Sequence, residues 1–235
     1  MVSLIDKSQV EQVVGTKIKN LGLYQKAFTH KSALKEYENL TESFETLEFI
    51  GDSVLGFVIT KYLFDRYENK QEGFLTKART KLVRGETLAH IAGYLKLNKY
   101  VIMDEKGMRN SWNTNTKILE DVFEALIGAI YMDIGLIHAK EFILRIYQDP
   151  AIIDMNMIMI DDNYKDHLMR HCQVNNWELP EYRVSGHHEG VFYIDIYVQD
   201  AFFARGIAKS KKQAEQNGAR SYFEALSTYS NYDFT

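Results

Sequence analysis

The chain has 235 residues, 46% hydrophobic and 26% charged, enough to bury one substantial core and leave room for a second small module. No stretch approaches the roughly 18 consecutive apolar residues of a membrane span, and residues Asp6, Lys7, Glu11, Lys17 and Lys19 interrupt any signal-like apolar start. The single cysteine, Cys172, excludes an internal disulfide and argues against a zinc-thiolate site, so the expectation is a cytoplasmic protein with no membrane partner. The net charge of −4 argues weakly against nucleic acid, but carboxylates gathered at a metal site would mask a local basic surface.

From Ser43 to Tyr67 the residues Phe44, Leu47, Val54, Leu55, Val58, Ile59, Tyr62 and Leu63 recur at three- and four-residue steps, which predicts a long core helix. The same spacing predicts helices over about Phe74 to Leu95, Lys117 to Met132 and Ile137 to Tyr147. Arg109 to Asn115 reads as a connecting loop. The first two-thirds is therefore expected to be all-helical. At Asp149-Pro150 the pattern stops, and the boundaries expected are a first domain over 1–148, a linker over 149–161 and a second domain over 162–229. In the second domain Tyr164 to Val174 has helical spacing, and Pro180 to Val184 looks extended. Val191 to Val198 alternates strictly, with Phe192, Ile194, Ile196 and Val198 on one face. A third strand near Phe202 to Arg205 leads into a helix from about Lys211 to Leu226.

Glu45, Glu48 and Asp52 stand at i, i+3 and i+7 of the long predicted helix and project from one face. Asp121 and Glu124 repeat the i, i+3 step on another helix. A solvated face explains one such pair well enough. Two groups in otherwise apolar helices fit better a divalent cation that relieves their mutual repulsion, Mg²⁺ or Mn²⁺ for hard oxygen donors. The chemistry implied is phosphodiester hydrolysis by metal-activated water, with no side-chain nucleophile.

The segment Glu45-Thr46-Leu47-Glu48-Phe49-Ile50-Gly51-Asp52 resembles the signature of the ribonuclease III family. Ala27 to Ser32, Glu72 to Leu75 and Asp121 to Tyr131 supply further matching stretches in family order. The resemblance implies an all-α catalytic domain followed by a small α-β-β-β-α double-stranded RNA-binding domain. It also implies Glu48, Asp52, Asp121 and Glu124 as metal ligands, Asp52 and Glu124 as the catalytic pair, and Glu45 and Glu72 as outer acids of the cleft. Mg²⁺ is the implied cofactor, with Mn²⁺ able to substitute. A homodimer is implied too, in which the aromatic at the place of Phe49 plugs a pocket in the other subunit. Its two sites would cut one strand each and leave a short 3′ overhang with 5′-phosphate and 3′-hydroxyl ends, in the service of RNA processing or decay. His30, His90, His138 and His171 are read as structural, and the Cys172 thiol as a small packing group.

Lys209, Lys211 and Lys212 cluster at the start of the last predicted helix, where exposed amides already favour an anion. With Pro180-Glu181-Tyr182 they resemble the double-stranded RNA-binding domain over Asp162 to about Leu226. By that resemblance the lysines span backbone phosphates, and the loop Gly186-His187-His188-Glu189 touches a minor groove with little sequence preference. Met169 stands where many relatives carry glutamine, Asp166 would repel phosphate, and Ala208 replaces a common glycine, so binding is expected to lean on dimerisation. Three alternatives stand beside this reading: a binding protein of the same fold without catalysis, a metal-dependent phosphohydrolase of small nucleotides, and a single-strand stacking platform on Val191 to Val198. The intact acids argue against the first, the second leaves the carboxy-terminal module without a purpose, and the strand aromatics fit ordinary sheet packing better than the third.

Overall fold

The structure is a computed structural model, which describes residues 4–155 and 163–230. The chain divides into two compact units, Met1–Met159 and Ile160–Thr235. Residues 156–161 of the expected linker lie outside the described residues, as does Asp162.

The first unit is helical: α1 (Lys7–Val14), α2 (Leu21–Ala27), α3 (Glu45–Arg66), α4 (Glu72–Leu82), α5 (Gly85–Tyr94), α6 (Glu105–Arg109), α7 (Thr116–Ile134) and α8 (Leu136–Tyr147), with single 3₁₀ turns between. Local chemistry sets several boundaries. Asp6 and Gln9 form a reciprocal capping box at the start of α1. Asn115 caps α7 by accepting from Lys117 N at 2.8 Å, and Gly135, at φ +90°, ends it. The helix expected over Phe74 to Leu95 is two helices, α4 and α5, broken at Val83 and Arg84. Apolar spacing runs through that break because Leu82 and Leu88 both reach the core, but the Tyr147 hydroxyl takes the Leu82 carbonyl at 3.0 Å and the Thr87 hydroxyl takes that of Lys81 at 2.8 Å. These carbonyls are thus satisfied without a continuous helix. The stretch expected as a loop, Arg109 to Asn115, includes the end of α6 and a 3₁₀ turn over Trp112–Thr114.

α7 is the central element. Every residue from Asp121 to Ile130 is buried, and it packs most extensively on α3, then on α5. Tyr24, Phe28, Leu55, Ile59, Phe123 and Ile127 are among the fully buried side chains around it, each contributing about 1.5–3 kcal/mol by leaving water. One isolated parallel bridge, Thr29 to Ile102, interrupts the all-helical pattern; Phe44 N donates to Thr29 O at 2.9 Å and so fixes where α3 begins.

The second unit runs α9 (Tyr164–Val174), β1 (Glu181–His188), β2 (Val191–Val198), β3 (Ala201–Ala208) and α10 (Lys211–Ser230). The strands form an antiparallel sheet in the order β1-β2-β3. Both hairpins turn on two residues with positive φ, Glu189 with Gly190 and Gln199 with Asp200, as two-residue turns that follow the strand twist require. Leu168, Cys172, Ile194, Ile196, Ala214, Ala219 and Tyr222 form its core, so Cys172 is a packing group. The alternation of β2 holds for Ile194, Ile196 and Val198. Asp195, on the opposite face, is buried as well: Arg205 donates to its two oxygens at 2.6 and 3.0 Å, and the Ser185 hydroxyl lies at 3.0 Å. The Arg205 guanidinium beside Asp195 holds its carboxyl below the usual range.

Candidate active site

The site is built where α3 crosses α7. Such crossings are usually held 8–10 Å apart by side chains, and here a pair of glycines lets the backbones touch. A Cβ on Gly51 would lie 1.8 Å from the Glu124 carbonyl oxygen, and one on Gly128 would lie 2.1 Å from that of Leu47. Each glycine therefore presses on the backbone beside an acid of the facing helix. The close approach draws Glu48 of α3 to Asp121 and Glu124 of α7, and one carboxylate oxygen from each falls within 4.8 Å of the other two.

Burial makes this grouping costly for bare charges. Asp121 is 8% and Glu124 7% exposed. Burial, with Asp52, Glu120 and Glu48 nearby, pushes the Glu124 carboxyl up to about 8, and burial beside Asp121 raises Glu48. Asp121 Oδ1 is buried without a well-aligned hydrogen bond; its near neighbour is the Lys117 ammonium at 2.6 Å, and that pairing raises the lysine's pKa. A largely buried all-oxygen donor set is what a hard divalent cation needs, so Glu48, Asp121 and Glu124 could hold one.

The remaining predicted residues are placed as follows. Asp52 is exposed on α3 and outside the trio, yet near enough for its negative charge to help raise Glu124. Glu45 is turned to Lys31, 3.1 Å away, and to the Ser43 hydroxyl. Glu72 accepts from the Thr76 hydroxyl at 2.6 Å. Phe49 is 78% exposed. His30 Nδ1 accepts from Ser32 N at 3.2 Å, capping the 3₁₀ turn over Lys31–Lys35, and burial lowers its pKa; its role is structural. Lys209, Lys211 and Lys212 are exposed where β3 gives way to α10, and the Ser210 hydroxyl accepts from Gln213 N at 3.3 Å. His187 and His188 extend β1 instead of forming a loop, with the His187 ring centroid 4.2 Å from that of Phe192. Asp166 pairs with Arg170 at 3.0 Å, which offsets its charge, and Met169 is exposed.

Sequence reasoning missed Lys117 and Glu120. The i, i+4 step from Lys117 to Asp121 was readable, but nothing in it told a surface ion pair from a lysine set among site acids.

A helical unit carrying a largely buried carboxylate trio, followed by an α-β-β-β-α unit with a lysine cluster, has the make-up of a metal-dependent nuclease with its own duplex-RNA-binding module. Residues 20–150 match the ribonuclease-III-like family model, and residues 164–226 the double-stranded RNA binding motif. The chain is 33% identical to ribonuclease 3 of Aliarcobacter butzleri over 94% of this chain and 98% of that protein. It is also 42% identical to putative protein A464R of Paramecium bursaria Chlorella virus 1, covering 92% and 78% of the two chains. The solved nuclease domain of ribonuclease III from Campylobacter jejuni superposes with a TM-score of 0.55 at 35% identity, covering 60% of this chain and 94% of that one. The protein belongs to the ribonuclease III family and is a double-stranded RNA endoribonuclease. Among the described residues, no helix is long and apolar enough to cross a membrane.

Proposed function

We propose that the protein hydrolyses both strands of duplex RNA at a divalent-ion centre held by Glu48, Asp52, Asp121 and Glu124, with Mg²⁺ as the ion and Mn²⁺ able to substitute. The observation that carries this is the convergence of Glu48, Asp121 and Glu124 oxygens within 4.8 Å. A bound ion supplies charge neutralisation and an activated water for in-line displacement at phosphorus. The chain's own part is to fix the donors. Gly51 and Gly128 hold the helices close, and Glu124, near-neutral when the acids stand alone, surrenders its proton as a ligand. Asp52, exposed on α3 with its charge felt at Glu124, is in this reading the fourth donor and would help orient the reacting water. Glu45 and Glu72 are in this reading the outer acids of the cleft, the Glu45 charge being offset by Lys31 at 3.1 Å.

The reading includes a homodimer. Phe49, Phe57 and Phe64 are 78%, 60% and 62% exposed and recur at steps of eight and seven residues along α3, an apolar stripe of the kind a partner surface covers. A depression of about 160 Å³ lined by Leu63, Phe64 and Leu75 offers a receptor for such a ring. The solved nuclease domain of ribonuclease III from Campylobacter jejuni has structural flexibility in a region involved in dimer formation. Two sites per dimer would cut the two strands with a short 3′ overhang, leaving 5′-phosphate and 3′-hydroxyl ends. The second unit, over about 162–229, holds the duplex through Lys209, Lys211 and Lys212, with His187 and His188 at the minor groove. The lone buried cysteine suits a cytoplasmic enzyme of RNA processing or decay.

The test is a long RNA duplex incubated with Mg²⁺ and either the unaltered protein or Glu124→Gln. Short duplexes with 5′-phosphates are expected from the first and none from the second. Equal cutting by both removes Glu124 from the mechanism.

A further inference from the structure

The trio has a cation of the chain's own at its edge. Lys117 lies one turn before Asp121 on α7, and its ammonium is 2.6 Å from Asp121 Oδ1, 3.5 Å from Glu120 Oε2 and 4.0 Å from Glu48 Oε1. Two of these three carboxylates belong to the trio. This is not a surface pair of the ordinary i, i+4 kind: the Asp121 side chain is only 11% exposed, and Glu48 comes from a different helix.

An ion bonded to Asp121 at the roughly 2.1 Å typical of Mg²⁺ would draw on the carboxylate whose Oδ1 already faces the ammonium at 2.6 Å. Two cations at that spacing repel strongly in a partly buried site. Glu120 is set differently. It is not one of the trio, and its carboxylate lies beside the first residue of α5, with its side chain 21% exposed. It is thus left outside the ion's donor set while standing 3.5 Å from the ammonium. Lysine is suited to moving between partners, since its charge is compact, its stem flexible, and the Lys117 side chain 63% exposed.

We propose that Lys117 is an exchangeable counter-cation of the metal centre and that Glu120 is its retaining carboxylate. The ammonium and the divalent ion compete for Asp121 and Glu48, and ion binding shifts the ammonium onto Glu120, one turn away, without releasing it to solvent. Glu120 is thus a positioning residue: it lowers the cost of displacing Lys117 and keeps a positive charge at the rim of the cleft, facing the phosphate backbone. The inference rests on the metal reading of Glu48, Asp121 and Glu124.

The experiment titrates Mn²⁺ into the full chain at constant ionic strength, reading free Mn²⁺ by electron paramagnetic resonance. It compares the unaltered protein with Lys117→Gln, Glu120→Gln and the double variant. Lys117→Gln should bind Mn²⁺ about tenfold more tightly, the size of one partly buried ion pair no longer given up. Glu120→Gln should bind several-fold more weakly in the presence of Lys117 and within about twofold of its reference in the Lys117→Gln background, because no ammonium is left to retain. Unchanged or weaker binding by Lys117→Gln overturns the competition, and equal weakening by Glu120→Gln in both backgrounds reduces Glu120 to a bystander charge. Melting curves in chelator establish that each variant is folded, and Lys117→Met replaces the glutamine variant if that one is not. Failure of the unaltered protein to bind Mn²⁺, or equal binding by Glu124→Gln, would instead sink the metal reading itself.

Discussion

Adding one methyl group at Gly51 tests whether the helix crossing, and not the acids alone, makes the site. A Cβ there would meet the Glu124 carbonyl oxygen at 1.8 Å, its carbon at 2.6 Å and the Gly128 nitrogen at 2.9 Å. All three are backbone atoms, so no side-chain rotation relieves the clash. Ordinary contact begins near 3.4 Å, leaving the helices about 1.6 Å too close. One ion with bonds of about 2.1 Å spans oxygens no more than about 4.2 Å apart, and the trio's oxygens lie within 4.8 Å of one another. Side-chain rotation can close a small gap at that spacing but not a further opening of this size. Gly51→Ala should therefore weaken Mn²⁺ binding by about 10–100-fold, as disturbed support of metal ligands does. Overpacking should cost the first unit about 1–3 kcal/mol, which lowers its melting temperature by roughly 3–10 °C. The assays are Mn²⁺ titration and thermal unfolding in chelator, with Gly93→Ala as control because nothing lies within 4 Å of its added Cβ. A Gly51→Ala protein that melts and binds Mn²⁺ like the unaltered one would refute the argument that the crossing sets the ligand geometry.

The raised Glu124 carboxyl carries a pH signature. Its folded pKa of about 8 lies above the ordinary 4.5, so the folded state holds the extra proton between those values. Metal-free stability should then fall as pH rises from about 5 to 8, as chelator melts at several pH values will show. A divalent ion must displace that proton, so Mn²⁺ affinity should rise about tenfold per pH unit up to about pH 8 and then level off; a flat profile contradicts the burial argument. In the second unit Asp195→Ala removes the acceptor of Arg205 and Ser185 and should destabilise that unit by about 1–3 kcal/mol in denaturant titration. With Asp195 held below its usual carboxylate range, its contribution is present at neutral pH and is lost as the carboxyl protonates in acid. Replacing Lys209, Lys211 and Lys212 together by alanine should weaken duplex RNA binding about equally across sequences and flatten the salt dependence, read from filter binding at several salt concentrations. A preserved salt slope would move the phosphate contacts elsewhere. Phe49→Asp should shift the chain towards monomer in sedimentation, and an unchanged mass would remove Phe49 from the dimer contact.

Local periodicity made much of this legible. The spacing over Ser43 to Tyr67 anticipated α3, observed over Glu45–Arg66, and that over Tyr164 to Val174 coincides with α9. Both regularities follow from burying one helix face, which the order of residues records directly. The break between α4 and α5 left no such mark, because Leu82 and Leu88 keep the apolar rhythm while Tyr147 and Thr87 satisfy the freed carbonyls. Asp195 was equally silent: alternation put it opposite Ile194 and Ile196, and only its register with Arg205 explains its burial.

The sequence by itself determined two modules, the helix faces bearing Glu48, Asp52, Asp121 and Glu124, and the lysine-rich helix start, since spacing along a chain fixes which side chains share a face. Tertiary structure decided which faces meet. Gly51 and Gly128 bring α3 against α7, Glu48 joins Asp121 and Glu124 while Asp52 stays at the exposed edge, and Lys117 comes within 4.0 Å of Glu48 across the crossing. Those relations depend on contacts between residues more than sixty positions apart, and no local pattern encodes the distance at which two helices come to rest.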